Sequence, residues 1–344
     1  MKPGLILALL ALFSMTAMAQ ESEIVNLQFE VRADYMQEHQ NGSKIHENSG
    51  FKGKYLNIRM DGNITEGLSY SFRHRLNRLN SDESFFNATD WITLNYTLSN
   101  WGFSAGKQVV AIGGYEYDRA PIDLYFCSEY WNNIACYQFG VSSSYTTDAG
   151  NDTFLLQFCQ SPLRKNALNT EDREMYAYNL MWYGTHDFFS TMYSVNMIEY
   201  LPGRFINYIA LGNQFSFGDC RLQLDFMNRA TDMKDIIGKD MSIMTEFQWK
   251  ACDRLNVIAK FTYDINRTGS IGDLCVAPGT DIYRAGATLE YFPIKTYKDL
   301  RMHLSCCHTN GKSPESAVLR PKQTIVDAGI TWKVGLLNIK NRKN

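Results

Sequence analysis

From Val25 to Tyr35 apolar and polar residues alternate without a break. Val25, Leu27, Phe29, Val31, Ala33 and Tyr35 hold the odd positions, and Asn26, Gln28, Glu30, Arg32 and Asp34 the even ones. Successive side chains on a β-strand point to opposite faces, so this period of two demands a strand with one face in an apolar medium and the other in a polar one. The pattern returns along the chain: Leu56, Ile58 and Met60 against Asn57, Arg59 and Asp61; Leu68, Tyr70 and Phe72 against Ser69, Ser71 and Arg73; Ile92, Leu94 and Tyr96 against Thr93, Asn95 and Thr97. It continues through Leu255 to Ile265, Tyr283 to Tyr291 and Val326 to Val334.

Links between these segments alternate in length. Short ones fall near Gly62 to Glu66, Ser99 to Trp101, Thr146 to Gly150, Thr185 and His186, Ser216 to Gly218, Ala251 to Asp253 and Pro293 to Lys298. Longer ones fall near Gln37 to Gly53, Leu79 to Asn87, Ala111 to Asn133, Ser161 to Glu174, Leu201 to Gly203, Ala230 to Lys239, Arg267 to Thr280 and Asn310 to Lys322. Short turns on one rim, long loops on the other and about sixteen strands of about ten residues describe an all-β fold, a transmembrane antiparallel β-barrel; strand numbers of about 14 to 18 fit the same spacing. Closure follows from solvent physics, because an unpaired backbone N–H or C=O in hydrocarbon costs several kcal/mol and only a sheet without edges avoids it. Aromatics near strand ends, Tyr35, Trp101, Tyr145, Trp182, Tyr200, Trp249, Tyr291 and Trp332, are expected to form interfacial girdles.

The first nineteen residues have the parts of a secretory signal peptide. Lys2 gives a positive start, Leu5 to Phe13 an apolar run and Ala17-Met18-Ala19 a small-x-small cleavage site. The expected division is a signal peptide over 1–19 and a single barrel domain over 20–344. No later stretch reaches about 18 consecutive apolar residues, so a helical membrane protein is excluded. The formal net charge of −2 argues against a basic nucleic-acid binder, and no nucleic-acid partner is expected. Export plus a barrel implies the outer membrane of a Gram-negative bacterium, with outer-membrane lipid as one partner and small hydrophilic solutes or inorganic ions as the other.

Parity assigns the lumen. Inward basic residues are Arg32, Arg59, Arg73, Arg75, Arg221, Arg229, Lys250, Lys260, Arg284, Arg301 and Lys333, and they outnumber the inward acids Glu30, Asp34, Asp61, Asp225, Glu246, Asp264, Glu290 and Asp327. The middle strands present Thr, Asn, Ser, Gln, Met and Gly instead, which suggests that something covers that part of the wall. The third long link is the candidate. It carries Glu116, Asp118, Asp123 and Glu129 against Arg119. Folded inward, it would narrow the pore and set an acidic loop opposite the arginines Arg32, Arg59, Arg73 and Arg75, creating a transverse field.

Three stretches carry a family resemblance: Leu68 to Leu76 (LSYSFRHRL), Phe103 to Gln108 (FSAGKQ) leading into Glu116 to Tyr125 (EYDRAPIDLY), and Ala328 to Lys333 (AGITWK). Together they resemble the phosphate-selective porin O and P family. The resemblance implies a sixteen-stranded porin, usually a homotrimer, whose third loop constricts the lumen and whose lysines and arginines guide anions such as phosphate. Lys107 lies in the Gly-Lys-Gln stretch, where strict parity points it outward unless a bulge or rim position turns it. The loop departs from an anion-selective pattern in being acidic, which leaves the sign of the preferred ion open.

Other chemistries find little support. On a strand, His303 and Cys307 face one way and Cys306 and His308 the other, so these four cannot converge on one metal ion. Eight cysteines in an exported chain permit disulfides, with Cys220 and Cys252 at neighbouring turns, yet free thiols suit the mid-strand positions. No Gly-x-Ser-x-Gly elbow, His-Glu-x-x-His pair or phosphate-binding glycine loop occurs. Two alternatives stay open: a barrel enzyme hydrolysing lipids or esters, with His74 on the outward parity, and a closed barrel serving as anchor or adhesin. The expected function is passive diffusion of small hydrophilic solutes or ions, without catalysis, cofactor or metal.

Overall fold

The computed structural model describes residues 23–78, 84–164, 173–269, 271–316 and 318–340. The segment expected to be a signal peptide lies outside the described residues. Sixteen strands form the wall: β1 (Glu23–Gln40), β2 (Gly50–Thr65), β3 (Leu68–Arg75), β4 (Thr89–Leu98), β5 (Trp101–Val109), β6 (Tyr137–Thr146), β7 (Asp152–Gln160), β8 (Tyr176–His186), β9 (Phe189–Leu201), β10 (Arg204–Phe217), β11 (Cys220–Ala230), β12 (Asp240–Cys252), β13 (Leu255–Asn266), β14 (Asp281–Tyr291), β15 (Leu300–Lys312) and β16 (Gln323–Lys340). A two-residue ladder, Ser43–Lys44, extends the pairing of β1 beyond its first hairpin.

Every strand pairs antiparallel with its sequence neighbour. The seam closes because β1 pairs on its other edge with β16, in a register that sets Glu30 opposite Lys333, Arg32 opposite Thr331 and Asp34 opposite Gly329. No edge is left, as hydrocarbon requires. Among the described residues no helix is long and apolar enough to cross a membrane.

Period-two alternation becomes two faces. On β1, Glu30, Arg32, Asp34 and Glu38 are buried while Ala33 and Tyr35 are exposed; on β8, Tyr176, Tyr178 and Leu180 are exposed and Ala177, Asn179 and Met181 are buried. The outward face is apolar, with Leu94, Tyr96, Leu98, Val141, Leu156, Val195, Leu289 and Leu304 all exposed. Trp101, Trp249 and Tyr291 stand on that face near strand ends, and Tyr35 and Trp332 stand on it within the long strands β1 and β16. Tyr200 corrects the girdle expectation. It belongs to the inward parity of β9 and packs inside the barrel with Ile198 and Tyr208. The loop rim also includes one tight connection, residues 202–203, and every other link falls where the length alternation put it.

Candidate functional site

The segment 110–136 leaves β5 and bonds side chains on nine of the sixteen strands. Its main chain first meets a row of neutral side chains. Gln157 Oε1 accepts from the Ala111 amide (2.7 Å) and from Asn179 (2.9 Å); Asn196 donates to the Ala111 carbonyl (2.7 Å) and to Asn179 (2.8 Å); Ser194 Oγ accepts from the Gly113 amide (2.8 Å). These residues stand on β7, β8 and β9. Charges placed there would be sealed under a loop without partners, whereas amides and hydroxyls satisfy the loop backbone, which explains the uncharged middle wall.

Two glycines permit the next step. Gly114 has φ +110°, a conformation side chains resist, and a Cβ on Gly212 of β10 would stand 2.8 Å from its Cα. Past this crossing come the short helices α2 (Tyr115–Asp118) and α3 (Glu129–Asn133). Ser128 caps α3, its Oγ accepting from the Trp131 amide (3.1 Å). Val110, Ile112, Tyr117, Tyr130 and Ile134 then pack on Ile198, Ile206, Tyr208 and Met227 of the wall and on Cys275 and Val276 of the link 267–280. Each large side chain so buried contributes about 1.5–3 kcal/mol. The middle wall is thus apolar as well as neutral toward the loop rim, a feature that parity did not anticipate.

Beyond the apolar part the contacts are ionic. Glu116 pairs with Lys260 of β13 (2.7 Å), whose ammonium also donates to the Phe126 carbonyl (2.9 Å). Arg119 pairs with Glu246 of β12 (2.7 Å) and donates to Gln223 (2.6 Å). Asp123 sits between Arg301 of β15 (2.5 Å) and Lys333 of β16 (2.9 Å). Burial would raise its pKa, but these two cations win and hold the Asp123 carboxyl below the usual carboxylate range. Tyr125 donates to Glu290 (2.6 Å), and Arg32 of β1 donates to the carbonyls of Ile122 (3.3 Å) and Leu124 (2.5 Å). Glu129 accepts from Asn133 (2.9 Å) and Ser316 (2.8 Å). The segment is thus bonded to side chains on β7, β9, β11, β12, β13, β14, β15, β16 and β1.

The arginines expected opposite the acids are arranged differently. Arg73 is buried between Glu30 (3.0 Å) and Asp90 (3.5 Å), Arg75 pairs with Asp90 (2.6 Å) and Arg59 with Asp61 (2.6 Å). Of the four, Arg32 alone bonds the loop, through main-chain oxygens, while it pairs sideways with Asp34 (2.9 Å). Proximity decides this where parity cannot: Arg32 and Arg59 find a carboxylate two residues along their own strands, and Arg73 and Arg75 find one on nearby strands, closer than the acids of the loop. The remaining lumen candidates divide as follows. Arg301 and Lys333 are brought together on Asp123, and Lys260 lies at the loop. Arg284 packs over the Phe126 ring (5.4 Å), and Arg221 is half-buried on β11. Lys250 pairs with Asp253 (3.2 Å) at the turn rim, and so does not line the lumen at the height of the loop. Asp118 is half-buried, and its carboxyl is pushed up to about 6 by burial, with Arg119 opposing.

Lys107 does point outward, on the face of Phe139, where it donates to Phe86 O (2.5 Å) and Thr89 O (2.6 Å) beside the short helix α1 (Phe85–Ala88). His74 hydrogen-bonds Thr89 (2.9 Å), whose hydroxyl donates to the Phe85 carbonyl (2.9 Å), and stacks on the Phe85 ring (4.6 Å between centroids). All eight cysteines are free.

Residues 25–187 match the family model described as phosphate-selective porin O and P. No curated protein matches the chain by sequence. Among solved structures, the anion-selective porin from Comamonas acidovorans is similar over 91% of this chain and 100% of its own, at 13% identity and a TM-score of 0.66. The outer membrane channel DcaP of Acinetobacter baumannii covers 91% and 99% at 11% identity and 0.64. OmpT of Vibrio cholerae in its trimer form covers 91% and 100% at 11% identity and 0.59. The chain is thus a closed sixteen-stranded antiparallel barrel with the fold of these structures, and its residues 25–187 match the model of the phosphate-selective porin O and P family.

Proposed function

We propose that this protein is an outer-membrane diffusion channel for small hydrophilic solutes and inorganic ions, with residues 110–136 as its constriction and a preference for anions such as phosphate. The observation that carries the reading is the docking of that segment across the inside of a closed barrel by Glu116, Arg119 and Asp123. Its acids are used in holding it there. Glu116 is neutralised by Lys260, and Asp123 is shared by two cations. The partly exposed charged side chains on the inward wall and this segment include Arg59, Arg75, Arg119, Arg221, Arg301 and Lys333 against Asp61, Asp118, Asp123 and Asp225. A confined passage with that surplus favours negative solutes.

Further support comes from the relatives' own descriptions, an anion-selective porin among them and a trimer form of another, and the chain is accordingly proposed to act as a homotrimer. Export through a signal peptide cleaved after Ala19 belongs to the same reading, and the mass of the mature protein tests it. The relatives' descriptions as a porin and an outer membrane channel favour transport over a barrel enzyme.

The test is electrical. Purified protein in a planar bilayer should give step currents, and a potassium chloride gradient should give a reversal potential of the sign for anion preference, retained with phosphate. Absence of steps from correctly folded, heat-modifiable protein would leave a closed barrel as the function.

A further inference from the structure

Asp34, His303 and Asp327 come from β1, β15 and β16, the three strands around the barrel's closing seam, and all three are buried. His303 Nε2 lies 3.0 Å from Asp327 Oδ1 and 3.5 Å from Asp34 Oδ1, and one ligand atom of each residue lies within 4.8 Å of the others. These edges have a meaning. Zinc takes nitrogen and carboxylate oxygen at about 2.0–2.2 Å, so tetrahedral ligands around it stand about 3.3 Å apart. The observed separations bracket that edge.

A second observation is independent of the acids. Gly329 of β16 is the register partner of both Asp34 and His303. A Cβ there would collide with Asp34 Oδ1 and stand 2.7 Å from His303 Cε1. Only the absence of a side chain lets a carboxylate and an imidazole from strands on either side of β16 meet over it. The electrostatics are also unfinished. Arg32 pairs with Asp34 (2.9 Å) and lies 3.9 Å from Asp327, so two buried carboxylates share a single guanidinium. The His303 ring further lies against that of Tyr125, tilted by 48° (4.7 Å between centroids), and its Nδ1 is buried without a hydrogen-bond partner.

We propose that Asp34, His303 and Asp327 form a lumenal binding site for a divalent transition-metal ion of the zinc class. One imidazole and two carboxylates suit such an ion better than calcium or magnesium, which favour oxygen alone. Three protein ligands leave a fourth position for water, and Arg32, which donates to Oδ1 (3.1 Å) and Oδ2 (3.0 Å) of Asp34, would keep Oδ2 as the outer partner that orients the carboxylate once Oδ1 turns to the ion.

The experiment uses the full chain, folded in detergent and stripped with EDTA, with Cys306→Ser and His308→Ala introduced to remove exposed outward ligands on β15. Titration with Co2+ should develop the visible absorption of four- or five-coordinate cobalt at one ion per chain, and Zn2+ should bleach it. His303→Gln and Asp327→Asn should each weaken binding at least tenfold. Gly329→Ala, which alters no ligand, should do the same. Heat-modifiable gel mobility reports that each variant is folded. Failure of the parent to bind either metal, or binding unchanged by His303→Gln in folded protein, overturns the site. Conduction is not needed for any of these readouts, so the site and the channel stand or fall separately.

Discussion

Lys260 on β13 and Glu116 on the inner loop form a buried ion pair at 2.7 Å, with the same ammonium donating to the carbonyl of Phe126 ten residues further along the loop. One wall side chain therefore clamps both ends of the turn that crosses the lumen.

Replacing Lys260 by Met leaves Glu116 buried and uncompensated, a change that costs about 3–5 kcal/mol. The loop, held on the other side by Arg119 and Asp123, should fluctuate rather than leave. Single-channel recordings should show larger and noisier conductance than the parent, and adding Glu116→Gln should restore part of the quiet state. Equal noise in all three proteins would contradict the clamp.

Arg301 and Lys333 face Asp123 from adjacent strands. With both changed to Ala, Asp123 becomes an unpaired carboxylate beside the passage, and the reversal potential in a salt gradient should move toward cations. Asp123→Asn in the parent should move it the other way. A shift of the same sign in both would argue against these groups setting the field.

The crossing of Gly114 over Gly212 has no room for a side chain. Gly212→Val should displace the start of the inner loop from β10 while the wall, whose ladder is untouched, remains heat-modifiable on gels. Limited proteolysis should then cut between 110 and 136, where the parent resists.

Burial pushes the Glu129 carboxyl up to about 6 from an ordinary value of 4.5, against the hydrogen bonds from Ser316 and Asn133. Because the docked loop holds this proton more tightly than a released one, docking strengthens as pH falls through the window between about 6 and 4.5 and is weaker above it. Channel noise should drop from pH 7.5 to pH 5, and Glu129→Gln should flatten that dependence. Unaltered pH dependence in the variant would assign the effect to another group.

How far the sequence reaches can be judged from particular residues. The faces of Arg32, Asp34, Tyr35 and Leu94 were legible because parity is a local property: one residue along the strand reverses the side chain. The uncharged row Gln157, Asn179, Ser194 and Asn196 was visible as an absence of charge, yet its partners, the amides and carbonyls of 111–113, were not. Tyr200 misled, because an aromatic at a strand end reads alike whether it meets lipid or a covering loop. The pairing of Arg73 and Arg75 with Asp90 was missed for a similar reason, since parity gives a direction and not a nearest neighbour.

The alternation of apolar and polar residues, with its short and long links, is sufficient by itself to determine a closed antiparallel wall with a wet interior, because each strand satisfies that demand with its own residues and its immediate neighbours. Where the long segment after β5 lies, which carboxylate meets which cation, and how Asp34 and His303 come together over Gly329 were decided only by the tertiary structure. Those contacts join residues remote in the chain, and their geometry exists only once the cylinder has closed and fixed the stagger of one strand against the next.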